Sequence, residues 1–285
     1  MEGKTTMTLV NYLRRVISFI FVLGVLSSCF PIEEDSVSTV TEGSTSTSSI
    51  SCDTVCGGLV GYYPFNGDIK DYSGNGNHGI VAHKVTSVAD AKGNTNSAYE
   101  FNGIDSFISL KGAIDNSSSD YTMVIHVKIN QFVFQSSNSC NSNGGSRAGL
   151  ITNQGKGLQL MYCPNWTIDN TTTKTNHYKL WYQDPDFCNS NPSCVDEYYQ
   201  ALDFNQFYLL AAVKSDNQSN FYIDRRFGSW QNLDFSYPVG NLSVGYWIKN
   251  GETDKPFNGV IDEIRIYNRA ITFDEFEEIY LKIKY

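Results

Sequence analysis

Beyond Gly58 the chain is cut into short apolar or alternating runs by clusters of Gly, Asn, Asp and Ser, and this punctuation restricts its fold more than any other feature. The runs include LVGYYPF, AYEFNG, FISL, YTMVIHVKI, AGLITN, GLQLMY, YKLWYQ, FYLLAAVKS, SNFYIDRR and NLSVGYWI. Runs of this length, rich in aromatic and β-branched residues and bounded by turn formers, are strands rather than helices. Roughly ten in succession predict an all-β chain folded as an antiparallel sandwich. Composition agrees: aromatic residues make up 14% of the chain, and charged residues only 18%, too few for long solvated helices.

One helix is expected, at the end. In FNGVIDEIRIYNRAITFDEFEEIY, residues 257–280, the segment Thr272-Phe273-Asp274-Glu275 is a capping box, with Thr272 as N-cap and Glu275 at the third helical position. Phe276, Ile279 and Tyr280 follow as an apolar stripe at helical spacing.

The same stretch holds adjacent acids, Asp262 and Glu263, on a strand-like run. Glycosidases need two carboxylates flanking one bond, and on a strand that means alternate positions of one face. Adjacent strand residues point to opposite faces, so this pair is not expected to meet one substrate. Asp262 should share its face with Val260, Ile264 and Ile266, and Glu263 should be an ordinary outward charge. No Glu-x-Asp-x-Glu, Gly-x-Ser-x-Gly or His-Glu-x-x-His pattern occurs, so no enzyme activity is expected. DYSGNGNHG, residues 71–79, supplies turn residues, and with no Lys-Ser/Thr at its end it is not a phosphate loop.

The N-terminus is a processing segment. Lys4, Arg14 and Arg15 precede the apolar run VISFIFVLGV, residues 16–25, which is too short to span a bilayer and fits a signal sequence. LSSC, residues 26–29, resembles a bacterial lipobox, which implies removal of residues 1–28 and lipidation of Cys29; the alternative is an ordinary signal peptide with a nearby cysteine. Residues 29–57 would then be anchor and Ser/Thr-rich tether, and 58–285 the folded domain. Glu33, Glu34 and Asp35 resemble the acidic surface-export signal of Bacteroidetes lipoproteins, implying an outer-membrane, surface-exposed location.

Seven cysteines are odd for an exported chain. With Cys29 given to lipid, Cys52, Cys56, Cys140, Cys163, Cys188 and Cys194 can form three bridges. Closeness suggests Cys52–Cys56 and Cys188–Cys194, leaving Cys140–Cys163, although connectivity is not fixed by sequence. Zinc is the rival, poorly served by four histidines and no Cys-x-x-Cys. A formal charge of −9 and no basic patch exclude a nucleic-acid partner.

GLVGYYPFNGDIKDYSGNGNHG, SAYEFNGIDSFISL, SNFYIDRR and the closing FNGVIDEIRIYNRAITFDEFEEIY resemble, in order and spacing, the bacterial laminin-G-like, concanavalin A-like lectin/glucanase domain. The resemblance implies a jelly-roll sandwich of two antiparallel sheets, glycan or protein partners, and one structural Ca2+. Calcium would involve Asp262 with oxygens near Asn66, Asn102 and Gly103, and Asp105 in reserve; the alternative is an Asp262 satisfied by backbone N–H groups of the facing loop. Departures from the family are His126 and Phe207-Tyr208 where tryptophan or Trp-His is common, and Arg225 in place of a turn glycine, which suggests a looser hairpin.

The long segment 163–200 reads as a cysteine-stapled loop rich in aromatics. Sugar rings stack on aromatic faces while polar groups orient them, so Trp166, Trp181, Tyr182 and Tyr178, with Asp184, are candidate ligand-binding residues. The alternative is that they pack this segment onto the sandwich. Together these features predict a non-catalytic carbohydrate-binding or adhesion module held to the envelope by lipid. The alternatives are a protein-interaction or structural envelope component and a divergent glycosidase.

Overall fold

The computed structural model describes residues 52, 54–113, 120–131, 146–153, 156–166, 175–183, 195–200, 202–216, 218–231, 240–249, 252–254 and 256–285. In chain order its strands are β1 (Leu59–Tyr63), β2 (Gly79–His83), β3 (Thr86–Val88), β4 (Ala98–Asn102), β5 (Phe107–Leu110) and β6 (Tyr121–Ile129). They continue with β7 (Ser146–Asn153), β8 (Lys156–Trp166), β9 (Thr175–Gln183), β10 (Val195–Gln200), β11 (Phe207–Ser215) and β12 (Gln218–Ile223). The last are β13 (Arg226–Gln231), β14 (Leu242–Val244), β15 (Trp247–Lys249), β16 (Glu252–Asp254) and β17 (Asn258–Tyr267), followed by helix α1 (Phe273–Lys284).

Two antiparallel sheets result. The first runs β13-β12-β11-β6-β17-β4-β3, with β1 also on β17; the second runs β10-β9-β8-β7-β14-β5-β2. Strand β17 is central because both its edges are used. One edge pairs with β6 from Gly259↔Ile129 to Tyr267↔Thr122; the other is divided between β4 up to Ile261 and β1 from Ile264. The sandwich expected from the sequence is therefore the observed class. The strands outnumber the runs first counted, because short pieces such as β3, β15 and β16 have too few residues to show a pattern.

The described residues of 163–200 are strands, where a loop was expected. β8 continues through Trp166, β9 pairs back along it from Gly157↔Gln183 to Trp166↔Thr175, and β10 adds beyond from Val195↔Gln183 to Gln200↔Tyr178. Ladder pairing satisfies the backbone of a segment too long to be left irregular.

The main core lies between the sheets. Met123, Ile125, Val127 and Ile129 of β6 face Leu150, Leu158 and Leu160, joined by Ile261, Ile264 and Ile266 of β17. A second apolar layer covers the outer face of the first sheet. There Val124, Leu209, Ala211, Val213, Tyr222 and Tyr267 meet Phe276, Ile279 and Ile283 of α1. Strand β6 is buried at almost every position because both of its faces are covered. Each buried helix side chain contributes about 2 kcal/mol. The stripe runs on to Ile283, and Tyr280 is only half-buried.

The capping box forms as expected: Thr272 Oγ1 accepts from Glu275 N at 3.2 Å, and Glu275 Oε2 accepts from Thr272 N at 2.8 Å. Arg269 adds a bidentate grip on Glu275, at 2.8 and 2.6 Å. The Arg269 guanidinium holds the Glu275 carboxyl below the usual carboxylate range, with the Thr272 N–H assisting against partial burial.

DYSGNGNHG does more than turn. Asp71 Oδ1 accepts from Tyr62 N at 2.9 Å and Ser73 N at 2.8 Å, and Oδ2 accepts from Asn77 N at 2.8 Å. Asn75 and Asn77 donate their side-chain amides to Leu59 O and Val60 O. The loop is thus sewn to β1, which is itself sewn to β17. Residues ahead of Gly58 also pack here: Cys52 and Cys56 form a disulfide, and Thr54 is buried with its hydroxyl on Glu278. The segment 1–51, including Cys29, and Cys140, Cys188 and Cys194 lie outside the described residues, as does the side chain of Cys163. Among the described residues no helix is long and apolar enough to cross a membrane.

Asp71→Ala is expected to destabilise the protein by about 3 kcal/mol in urea unfolding, since it leaves the buried Tyr62 N–H without an acceptor. For Glu275, an ordinary unfolded value near ~4.3 and a lower folded one mean stabilisation above that range, lost as pH falls through the folded value. Glu275→Gln should therefore melt below wild type at pH 7, with the gap closing under acid; a gap independent of pH would contradict the ion-pair account.

Candidate functional site

The site follows from a fault in β17. Its register against β6 passes from Ile261↔Val127 to Ile264↔Ile125, so Asp262 and Glu263 together stand opposite the single residue His126. One extra residue in one strand is a β-bulge, and it interrupts the period-2 alternation. The expectation that the two acids face opposite ways is overturned. Ile261, Ile264 and Ile266 all join the inner core, while Asp262 and Glu263 both line one outer cleft. Asp262 accordingly does not share a face with Ile264 and Ile266.

Glu263 is no ordinary outward charge. It is largely buried and takes Arg265 Nε at 2.7 Å. Arg265, 1% exposed, donates further to Thr54 O at 3.2 Å and lies over the Tyr62 ring at 4.5 Å. Burial lowers the Arg265 pKa, but the neighbouring Glu263 carboxylate outweighs it and holds the guanidinium above its ordinary value.

Asp262 is held differently. Its Oδ2 lies 3.0 Å from His126 Nδ1 and accepts from Ala91 N at 3.2 Å. A carboxylate only accepts, so Nδ1 carries the shared hydrogen. His126 is fully buried, packs on Phe207 with ring centroids 5.0 Å apart, and its Nε2 has no hydrogen-bond partner among the described residues. His126 is thus a packed residue and also the support that orients Asp262.

The cleft has a volume of about 180 Å3. Besides the bulge acids and Arg265, its walls are Asn66 after β1, Asp90, Lys92 and Asn94 in the β3–β4 loop, and Lys282 of α1. Asp90 shapes that loop by accepting from Lys92 N at 2.9 Å and from Asn94 N and Nδ2, both at 2.7 Å. Lys92 Nζ ties the loop to α1 through Lys282 O at 3.0 Å. The result is a polar concavity with carboxylate acceptors, ammonium and amide donors, and rigid supports on three sides.

The candidate calcium ligands separate into two groups. Asp262 and Asn66 line the cleft; Asn102, Gly103 and Asp105 form the β4–β5 turn. Asn102 Oδ1 accepts from Ile104 N, Asp105 N, Ser106 N and Ser106 Oγ, at 2.8–3.2 Å, and Asp105 pairs with Lys84. The register sets Asn102 opposite Asn258, four residues before Asp262 on β17, and among the described residues no group of three or more His, Cys, Asp or Glu is placed to hold a metal.

Of the aromatic candidates, Trp166 closes β8, and Tyr178, Trp181 and Tyr182 lie on β9. The register sets Tyr182 opposite the core residue Leu158 and Trp181 opposite Gln159; the side chains, and Asp184, lie outside the described residues. Sequence reasoning missed the loop residues Asp90, Lys92 and Asn94 and the distant Lys282. The Asp-x-Lys-x-Asn spacing of the loop was the only visible signal.

No protein-family model and no curated protein matches the sequence. Among solved structures, the chain resembles domain 4 of a GH43 extracellular arabinanase from Geobacillus stearothermophilus, in complex with arabinotriose, at 21% identity and a TM-score of 0.51, over 78% of this chain and 98% of that one. It also resembles the receptor-binding domain of the botulinum neurotoxin C/D mosaic serotype, at 11% identity and a TM-score of 0.55, over 80% of this chain and 52% of that one. The ligand-binding domain of botulinum neurotoxin serotype D, in complex with N-acetylneuraminic acid, matches at 11% identity and a TM-score of 0.52, with the same coverage. The chain therefore spans about half the length of the two toxin domains. These likenesses establish the β-sandwich class of this domain.

Glu263→Ala should lower stability by about 3–5 kcal/mol in denaturant unfolding, because it strands the buried Arg265 charge. Adding Arg265→Met to Glu263→Ala should recover a large part of the loss. No recovery would mean that the pair is not the source of the cost.

Proposed function

We propose that this chain is a non-catalytic carbohydrate-binding or adhesion module, tethered to the cell envelope by a lipid on Cys29. The observation that carries the binding part is the bulge cleft, where Asp262, Asp90, Asn66 and Asn94 present acceptors and amides in one rigid concavity. Sugar hydroxyls need that kind of convergent polar set. Two sandwich domains of similar fold, from the arabinanase and from the serotype D toxin, are in complex with arabinotriose and N-acetylneuraminic acid. A binding role is favoured over hydrolysis because a glycosidase acid or base must be free to exchange protons with substrate. Here Glu263 is tied to Arg265, and Asp262 to His126. The anchor rests on the LSSC motif and its preceding apolar run.

A protein-interaction reading has one observation of its own. Edge strand β2 exposes Ile80 and Val81, at 52% and 43%.

A glycan-array screen of the full-length protein is the direct test. Binding to a neutral glycan, reduced at least about tenfold by Asp262→Asn through loss of the carboxylate acceptor, is the expected result. Capture of a protein partner with no glycan bound would favour the β2 reading, and polysaccharide turnover lost on changing one carboxylate would sink the non-enzyme reading. A structural calcium belongs to the proposal only through Asp262 and Asn66. A melting temperature raised by Ca2+, reversed by EDTA and lost in Asp262→Asn, supports it; no rise leaves Asp262 to His126 and Ala91 alone.

A further inference from the structure

A second cleft, of about 280 Å3, lies where the β12–β13 turn meets the segment before β11 and helix α1. Its chemistry comes from Asp224, Arg225 and Arg226 of the turn, Asp203 and Tyr208 of the segment and early β11, and Tyr280 of α1. The turn is tight rather than loose: Ile223 pairs with Arg226, and Asp224 takes the positive φ of 50° that glycine was expected to supply. Asp224 N donates to Leu209 O and Asp224 Oδ1 accepts from Leu209 N, each at 2.8 Å, which clamps the turn to β11.

The two arginines differ in what they are free to do. Arg225 is ion-paired with Glu277 of α1. Arg226 is exposed, and among the described residues no carboxylate lies within ion-pair distance of it. In the bulge cleft, by contrast, Arg265 is held by Glu263 and Thr54, and Lys92 by Lys282 O. Arg226 offers a planar fork that matches a carboxylate in two parallel hydrogen bonds.

The rest of the cleft suits hydroxyl groups. Tyr208 Oη accepts from Asp203 N at 3.0 Å and keeps its own hydrogen to donate. Asp203 is an exposed acceptor. Burial pushes the Asp224 carboxyl above its ordinary range, with the Leu209 N–H and Lys284 opposing it. A carboxylate so short of water gains from a hydroxyl donor. Tyr208 and Tyr280 are both half-buried and give the cleft its apolar ring surfaces.

We propose that this cleft is a subsite for a sugar acid, a monosaccharide unit whose carboxylate is taken by Arg226 and whose hydroxyls are taken by Asp203, Asp224 and Tyr208. It rests on the glycan-binding reading and assigns acidic sugars to the β12–β13 turn, apart from the bulge cleft.

The test is isothermal titration of the full-length protein with methyl β-glucuronide and with N-acetylneuraminic acid, using methyl β-glucoside as the neutral control. One of the acids should bind at least about tenfold more tightly than the glucoside, the difference expected from a charge-assisted bidentate contact. Arg226→Gln should remove that preference, and Arg226→Lys should keep part of it, with melting temperatures recorded for both. Equal binding of acid and neutral probes, or a preference that survives Arg226→Gln, overturns the subsite. Glycans bound on the array with neither acid bound also overturns it while the module reading stands. Binding to no glycan at all overturns both.

Discussion

The structure depends on the double pairing of β17. Ten residues near the end of the chain hold β6 along one edge and divide the other between β4 and β1. Through β6 and β11 this strand reaches one end of the first sheet, and through β4 and β3 the other. Its inward residues, Ile261, Ile264 and Ile266, sit in the core between the sheets, and Tyr267 sits in the layer under α1. A strand of this kind tolerates little change in register, since a slip would turn its apolar side chains toward solvent. The bulge at Asp262 and Glu263 is therefore a fixed part of the strand.

That single extra residue also makes the chemistry. Before it, Val260 lies outward beside Lys128 and Glu100; after it, Arg265 lies outward beside Val124. Between them two acids occupy the space of one, and each needs its own compensation. Asp262 is compensated by His126 and Ala91 N, Glu263 by Arg265. Buried charges persist only when paired in this way, and the pairing leaves the cleft rigid. Rigid polar concavities lose little entropy on binding a ligand.

Helix α1 joins the two clefts on the outer face. Its apolar stripe covers the first sheet, while Lys282 lines the bulge cleft and Tyr280 the cleft at the β12–β13 turn. Its start is fixed by Thr272, Glu275 and Arg269, and near its end Lys284 Nζ donates to Phe207 O at 2.8 Å. The same element that seals the outer layer thus positions side chains in both candidate sites. Its docking also covers Thr54, so Cys52, Thr54 and Val55 belong to the packed body.

Much of this was legible in the chain itself. Turn punctuation and aromatic, β-branched runs determined the sandwich, and Thr272-x-x-Glu275 determined where the helix begins, because both act over a few neighbouring residues. The neighbouring cysteines 52 and 56 were likewise readable as a bridge. What only the tertiary structure decided are features that join distant residues or break a period. The bulge is invisible in FNGVIDEIRIY, because a regular strand and a bulged one have the same apolar count, and only the partner strand β6 shows that two acids face one histidine. Asp71 reads as a turn former, yet its role is set by Tyr62 and Asn77. Arg225 reads as a turn substitution, but nothing in SNFYIDRR marks Arg226, whose place in one cleft with Tyr208 and Asp203 comes from β12 folding back along β11. Local hydrogen bonding and hydrophobic period are written in sequence order, whereas the meeting of charges across strands is fixed by register, which the sequence expresses only once the sheets have formed.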